Sequence, residues 1–312
     1  MHGWKTKFKD YYHHSGFVML SETSQNPYIE KTLEITRAQG KSLDEFVDGS
    51  GLKEMYPDIR ADYRNLRAYH NLEGGWADAE GSVRYLSHQC SQAGSSFITG
   101  KRGTVRSLHK TGSRVLGVTV LSREFLPASQ VMLCTGAWSN LLLDLSHAAS
   151  ASGQPWHISL SPQPGTNILK VARRSYGFAT SMRAVEDGRT VSSPKRDSNN
   201  ADRSFLPDEA DKALRDGLRQ LLPEFLDHPW SNRRLCWYTD TPEGDFVVDY
   251  HPMLEGLFIA IGGAGHAFKF LPILGRIVFQ MLSDRNGGFV QRKEREKLRL
   301  DMEAVQDRLC GH

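Results

Sequence analysis

The stretch from Cys236 to Pro272, CWYTDTPEGDFVVDYHPMLEGLFIAIGGAGHAFKFLP, decides the fold. It reads as a turn-bounded strand pair, one continuous apolar strand, and a glycine-rich turn that opens a helix. Leu257-Phe258-Ile259-Ala260-Ile261 is the kind of run that lies buried on both faces of a parallel sheet. Gly262, Gly263 and Gly265 follow at once, and glycine lets a backbone bend and approach a ligand without a Cβ penalty. Phe268 to Met281 then reads as a helix with Pro272 in its first turn. A strand, a glycine turn and a helix N-terminus can receive an anion or a polarised carbonyl. Glycines alone fit a tight connection that binds nothing equally well.

Outward from this stretch, 312 residues are enough for one large or two ordinary domains. A net charge of +3 gives no basic stripe for nucleic acid. No run reaches transmembrane length, and the start MHGWKTKFKDYYHH has no apolar core of a signal peptide. Cys90, Cys134, Cys236 and Cys310 show neither metal-ligand spacing nor a disulfide framework, which fits a reducing, cytoplasmic setting. His13 and His14 have no further ligand at useful spacing and read as strand or surface histidines.

Toward the N-terminus, Trp4 to Leu20 reads as a helix end running into a strand, and Pro27 to Ala38 as a helix. Ser42-Leu43-Asp44-Glu45 has the form of a capping box, and Asn65 to His70 is strand-like. Gly75-Trp76-Ala77-Asp78-Ala79 opens a helix to about Ala93, with Asp78 at its positive end. Val83, Leu86, Cys90 and Ala93 share one face, which predicts Cys90 in the core. Short strands follow at Ser96–Thr99, Thr104–His109, Arg114–Leu121 and Phe125–Cys134, with Cys134 a buried thiol. Thr135-Gly136-Ala137-Trp138-Ser139 is a second strand–turn–helix junction, where Trp138 fits helix packing as well as ligand contact. His157–Leu160 is a strand. Leu206 to Leu222 is a helix whose apolar side carries Ala210, Leu214, Leu218, Leu221 and Leu222. Gln291 to His312 reads as an amphipathic, charged tail.

The pair CWYTDTPEGDFVVDYHP and GGAGHAFKFLP, with GWADA, a β-meander and TGAWS before it, resembles the FAD-dependent amine oxidases of the D-amino-acid oxidase superfamily. Its sarcosine, pipecolate–saccharopine and fructosyl amino acid oxidase group is the nearest. The resemblance implies an α/β (α+β) fold. An incomplete FAD-binding Rossmann-like domain, with a central parallel sheet and a β-meander, takes 73–148 and 246–290. A substrate domain of mixed antiparallel sheet and helices takes 1–72 and 149–245, and 291–312 is the tail. It implies FAD, attached covalently through Cys236. Val105, Gly136, Ala137, Trp138, Gly263, Ala264, Gly265, His266, Phe268 and Lys269 would line the cofactor site, with Lys269 holding the substrate carboxylate. Ala267 replaces a usual glycine. Arg183 is the nearest occupant of the oxygen-activating lysine position, and arginine cannot match the placement of a compact ammonium. The resemblance puts the GxGxxG nucleotide fingerprint ahead of Met1.

The implied activity is oxidation of a secondary amine or N-substituted amino acid by dioxygen, impaired in a chain without that fingerprint. The alternative is a non-catalytic truncated homologue acting as a binding or partner subunit. The expected partners are a small-molecule amine and no nucleic acid or membrane. A monomer is expected, or a chain whose FAD domain a partner chain completes. No peroxisomal tripeptide ends the sequence.

Overall fold

The computed structural model describes residues 2–22, 26–40, 44–46, 49–64, 66–143, 157–163, 168–174, 181–185, 187–194, 206–241, 245–265 and 267–283. The first elements are α1 (His2–Lys5), β1 (Tyr12–His13), β2 (Phe17–Ser21), α2 (Pro27–Ala38), β3 (Asp44–Phe46), α3 (Ser50–Met55), β4 (Arg67–Asn71), β5 (Trp76–Ala77) and α4 (Ala79–Gln92). The middle of the chain carries β6 (Val105–Thr111), β7 (Arg114–Val120), β8 (Phe125–Pro127), β9 (Val131–Leu133), β10 (His157–Gln163), β11 (Ile168–Arg174), β12 (Ser181–Arg183) and β13 (Thr190–Ser192). The last part holds α5 (Asp208–Leu221), β14 (Val247–Tyr250), β15 (Leu257–Ile261) and α6 (Leu271–Ser283). Helices and several small sheets are thus mixed along the whole chain. Among the described residues no helix is long and apolar enough to cross a membrane.

Three sheets organise the molecule. The antiparallel sheet β2-β4-β3 sets Met19 opposite Tyr69. On it, Ile29 and Leu33 of α2 pack with Tyr69, while Leu52 of α3 packs with Ala61, Tyr63, Leu66 and Ala68. The α2 start is set by Asn26, whose side chain accepts from Tyr28 N at 3.0 Å and Ile29 N at 3.4 Å, with Pro27 at the first helical position. The second sheet is the meander β6-β7-β8.

The third, β14-β15-β9, positions the site. Its central strand β15 runs antiparallel to β14 and parallel to β9, with Leu257 opposite Val131 and Ile259 opposite Leu133. Leu257 and Phe258 are fully buried. Leu257, Ile259 and Leu133 form one core with Leu108, Val115, Leu142 and Leu143, which joins this sheet to the meander. The predicted apolar strand therefore forms over the predicted residues, although only one of its two neighbours is parallel.

Several expectations are corrected. Asp44–Phe46 pairs with β4 instead of starting a helix, and the helix follows at Ser50. An available strand edge there outweighs a local capping pattern. Ser96–Thr99 is not a strand, and its Phe97 and Ile98 are exposed. Phe125–Cys134 is split at Ala128–Gln130, so β8 joins the meander and β9 joins β15. Cys90 is exposed and only Ser82 of α4 is buried, since an apolar stripe at helical spacing does not itself supply a partner; Tyr85 of α4 packs on Phe8 and Tyr11. Cys134 lies just past β9 on the exposed side, although partial burial of its thiol raises its pKa. Asp78 caps α4 as expected, accepting from Gly81 N at 3.0 Å. The tail from Gln291, with Cys310, lies outside the described residues.

Candidate functional site

Because β9 and β15 are parallel neighbours, the turns that follow them leave the same end of the sheet. Outside the carboxyl ends of adjacent parallel strands is where open α/β sheets form ligand crevices. One wall is the 3-10 turn Gly136–Leu141 after β9. Gly136 holds φ +51°, and a Cβ built on it meets nothing within 4 Å. Trp138 is 40% exposed beside it. Ser193, fully buried, ties this turn to the β12–β13 hairpin by donating to Ala137 O at 3.4 Å.

The other wall is the turn after β15. Gly262 has φ +79° and lies against the neighbouring chain, where a Cβ would sit 2.7 Å from Asp245 O. Ala264 also has positive φ, at +43°, and is buried. Gly265 follows at φ +70°, with the Tyr238 ring over it at 3.0 Å from a would-be Cβ. Ala264 N donates to Thr239 O at 3.1 Å, which lays the cysteine motif alongside this turn. Cys236, three residues upstream of Thr239, is exposed. The 3-10 turn Ala267–Phe270 carries Lys269 and leads into α6, with Phe270 buried.

The turn with Gly136, Ala137 and Trp138 and the turn with Gly263, Ala264 and Gly265 thus leave the same end of the sheet; Phe268 and Lys269 follow along the second, and the Cys236 segment is tied to it through Thr239. Val105 begins β6 and packs against the core cluster. Arg183 is exposed near the closed end of the β12–β13 hairpin, opposite Thr190. Among the described residues no hydrogen bond or ion pair joins it to either turn. His266 lies outside the described residues. No group of three His, Cys, Asp or Glu residues among those described could hold a metal.

Sequence reasoning missed two supports of this site. Ser193 stood in a polar run with no sign of burial. Trp4 is the second: its indole Nε1 donates to Lys269 O at 2.8 Å. The available signal was Pro272, which has no N–H to offer the carbonyl three residues before it. Around Trp4, the phenol of Tyr12 is held above its ordinary pKa by burial and by the charge of Glu73. His13 stacks on Trp76 at 4.1 Å.

A sequence profile of the FAD dependent oxidoreductases matches residues 4–281. The chain is 25% identical over 306 residues to L-saccharopine oxidase of Schizosaccharomyces pombe, covering 84% of this chain and 70% of that protein. It is 24% identical over 299 residues to peroxisomal sarcosine oxidase of Mus musculus, covering 86% and 70% respectively. Its fold is similar to that of the deglycating enzyme fructosamine oxidase (Amadoriase II) of Aspergillus fumigatus. There the TM-score is 0.74 at 23% identity, over 94% of this chain and 72% of the other. The chain therefore matches a part of each relative.

Proposed function

The chain belongs to the FAD dependent oxidoreductase family, and on that premise we propose that it oxidises the C–N bond of a secondary amine or N-substituted amino acid. The observation that carries this reading is the shared end of β9 and β15. Two glycine turns open there side by side, and the cysteine motif is hydrogen-bonded to one of them. The residues fit a flavin dinucleotide: Gly136 offers bare backbone with positive φ to open space, and Cys236 is accessible for a thioether.

The chemistry that a bound FAD would supply is two-electron oxidation of the CH–NH unit to an imine, the hydride going to the flavin and the N–H proton completing the reduction of dioxygen to hydrogen peroxide, and water would hydrolyse the imine to an amine and a carbonyl compound. The protein's part is binding and orientation. Gly136, Ala137 and Trp138 would hold the cofactor on one side, and Gly263 to Gly265 on the other. Cys236 would tether it. The Lys269 ammonium would hold the substrate carboxylate by a charge-assisted hydrogen bond. Arg183, exposed on the β12–β13 hairpin, is given no role in this scheme.

A second reading, a non-catalytic binding subunit, is favoured by one feature. Among the described residues nothing pairs with the outer edge of β9, and Val83, Phe97, Ile98 and Met132 are exposed. The intact mass of the FAD-loaded protein and of C236S tests the main reading. A flavin adduct is expected on the wild type and none on C236S. Flavin that washes off both proteins equally removes Cys236 from the scheme. Retained flavin with no peroxide from N-methyl or N-fructosyl amino acids would favour the second reading.

A further inference from the structure

We propose that Trp4 is a positioning residue for Lys269, setting how well the site holds a carboxylate. This rests on the role given to Lys269 above. A lysine side chain is a long, flexible stem, so its ammonium is placed no better than the backbone that carries it. That backbone lies where a short 3-10 turn meets α6. A 3-10 turn would satisfy Lys269 O from the amide three residues on, but that residue is Pro272.

Trp4 supplies the donor instead. It is 5% exposed, and its Nε1 reaches Lys269 O at 2.8 Å across 265 positions of sequence. Its ring is held in place on several sides. Phe268 lies at 5.8 Å, Phe8 at 5.3 Å and Tyr12 at 6.1 Å. Next to it, Gly3 brings the α1 backbone against Pro272: a Cβ at Gly3 would stand 2.4 Å from the proline Cβ. Helix α1 therefore grips the residue before Lys269, the lysine carbonyl, and the first turn of α6. The bond is partly buried, and a hydrogen bond shielded from water is costly to lose.

Two variants test this in the FAD-loaded protein. W4F keeps a ring for the aromatic contacts and removes the donor. G3A forces α1 away from Pro272. Methoxyacetate, a carboxylate of similar size with no amine to oxidise, is the probe, with its dissociation constant measured from the change in flavin absorbance. Hydrogen exchange over residues 267–274, which needs no turnover, is the second readout. W4F and G3A should each weaken the probe roughly fivefold to tenfold and speed exchange across that segment. K269M should weaken the probe further, and W4F added to K269M should change nothing more. Equal loss from W4F in the wild-type and K269M backgrounds would show that Trp4 acts on the fold at large, and would overturn the proposal. So would unchanged affinity and exchange in W4F. Failure of K269M to weaken the probe would instead remove the role of Lys269 itself.

Discussion

Two glycines with the same backbone sign should behave differently when an alanine replaces them. Gly136 and Gly262 have φ +51° and +79°. A left-handed backbone costs an L-residue about 1–2 kcal/mol at either place. At Gly136 that is the whole cost to the fold, because the added methyl meets nothing within 4 Å. At Gly262 the methyl would stand 2.7 Å from Asp245 O and 3.0 Å from Val247 N, both backbone atoms of the strand approach beside it. Backbone cannot swing aside as a flexible side chain can, so G262A should cost about 3 kcal/mol or more. Urea unfolding of the two variants without cofactor should therefore show a small shift for G136A and a large one for G262A. Flavin reconstitution should reverse the order of interest. The methyl of G136A projects into the space assigned to the cofactor and should weaken FAD by about tenfold or more, or about 1.4 kcal/mol. G136A that takes up FAD like the wild type, with only the small stability loss, would refute the placement of the cofactor against this turn. G136A as damaging to the apoprotein as G262A would refute the geometric argument itself.

Two further predictions concern pH. His251 Nδ1 accepts from Met253 N at 3.1 Å and Leu254 N at 3.0 Å, and burial followed by the charge of Lys110 lowers its pKa from 6.5. The unfolded chain then takes the proton more readily, so stability is full above pH 6.5 and falls as pH drops below it. H251N, which keeps an acceptor but cannot titrate, should flatten the melting temperature across pH 7.5 to 5; an unchanged slope would exclude the histidine as its source. Tyr63 donates to Leu221 O at 2.6 Å, and burial followed by the charge of Glu224 raises its pKa from 10.0 to about 12. The unfolded chain loses this proton first as pH rises, so stability should fall between pH 10 and about 12. Y63F should lose about 1 kcal/mol at neutral pH and be less sensitive over that alkaline window, as seen by circular dichroism.

Read alone, the amino-acid order determined the elements whose cause is local. β15 spans the five residues of its apolar run, α2 spans Pro27–Ala38 between a capping asparagine and its end, and α5 buries Ala210, Leu214 and Leu218 at helical spacing. The glycine turns and the cysteine motif were legible for the same reason: special backbone and chemistry are written in residue type. Partners were not legible. That β9 is the parallel neighbour of β15 depends on residues far apart in the chain, and this pairing is what brings the two turns to one end of a sheet. Cys90 was read as core because periodicity reports which face of a helix is apolar, not whether anything covers it. Asp44–Phe46 became a strand because β4 offered an edge. Trp4 gained its role only where folding set its indole against a carbonyl that Pro272 cannot serve. Local pattern carries period and turn preference, while contacts across the chain carry the site.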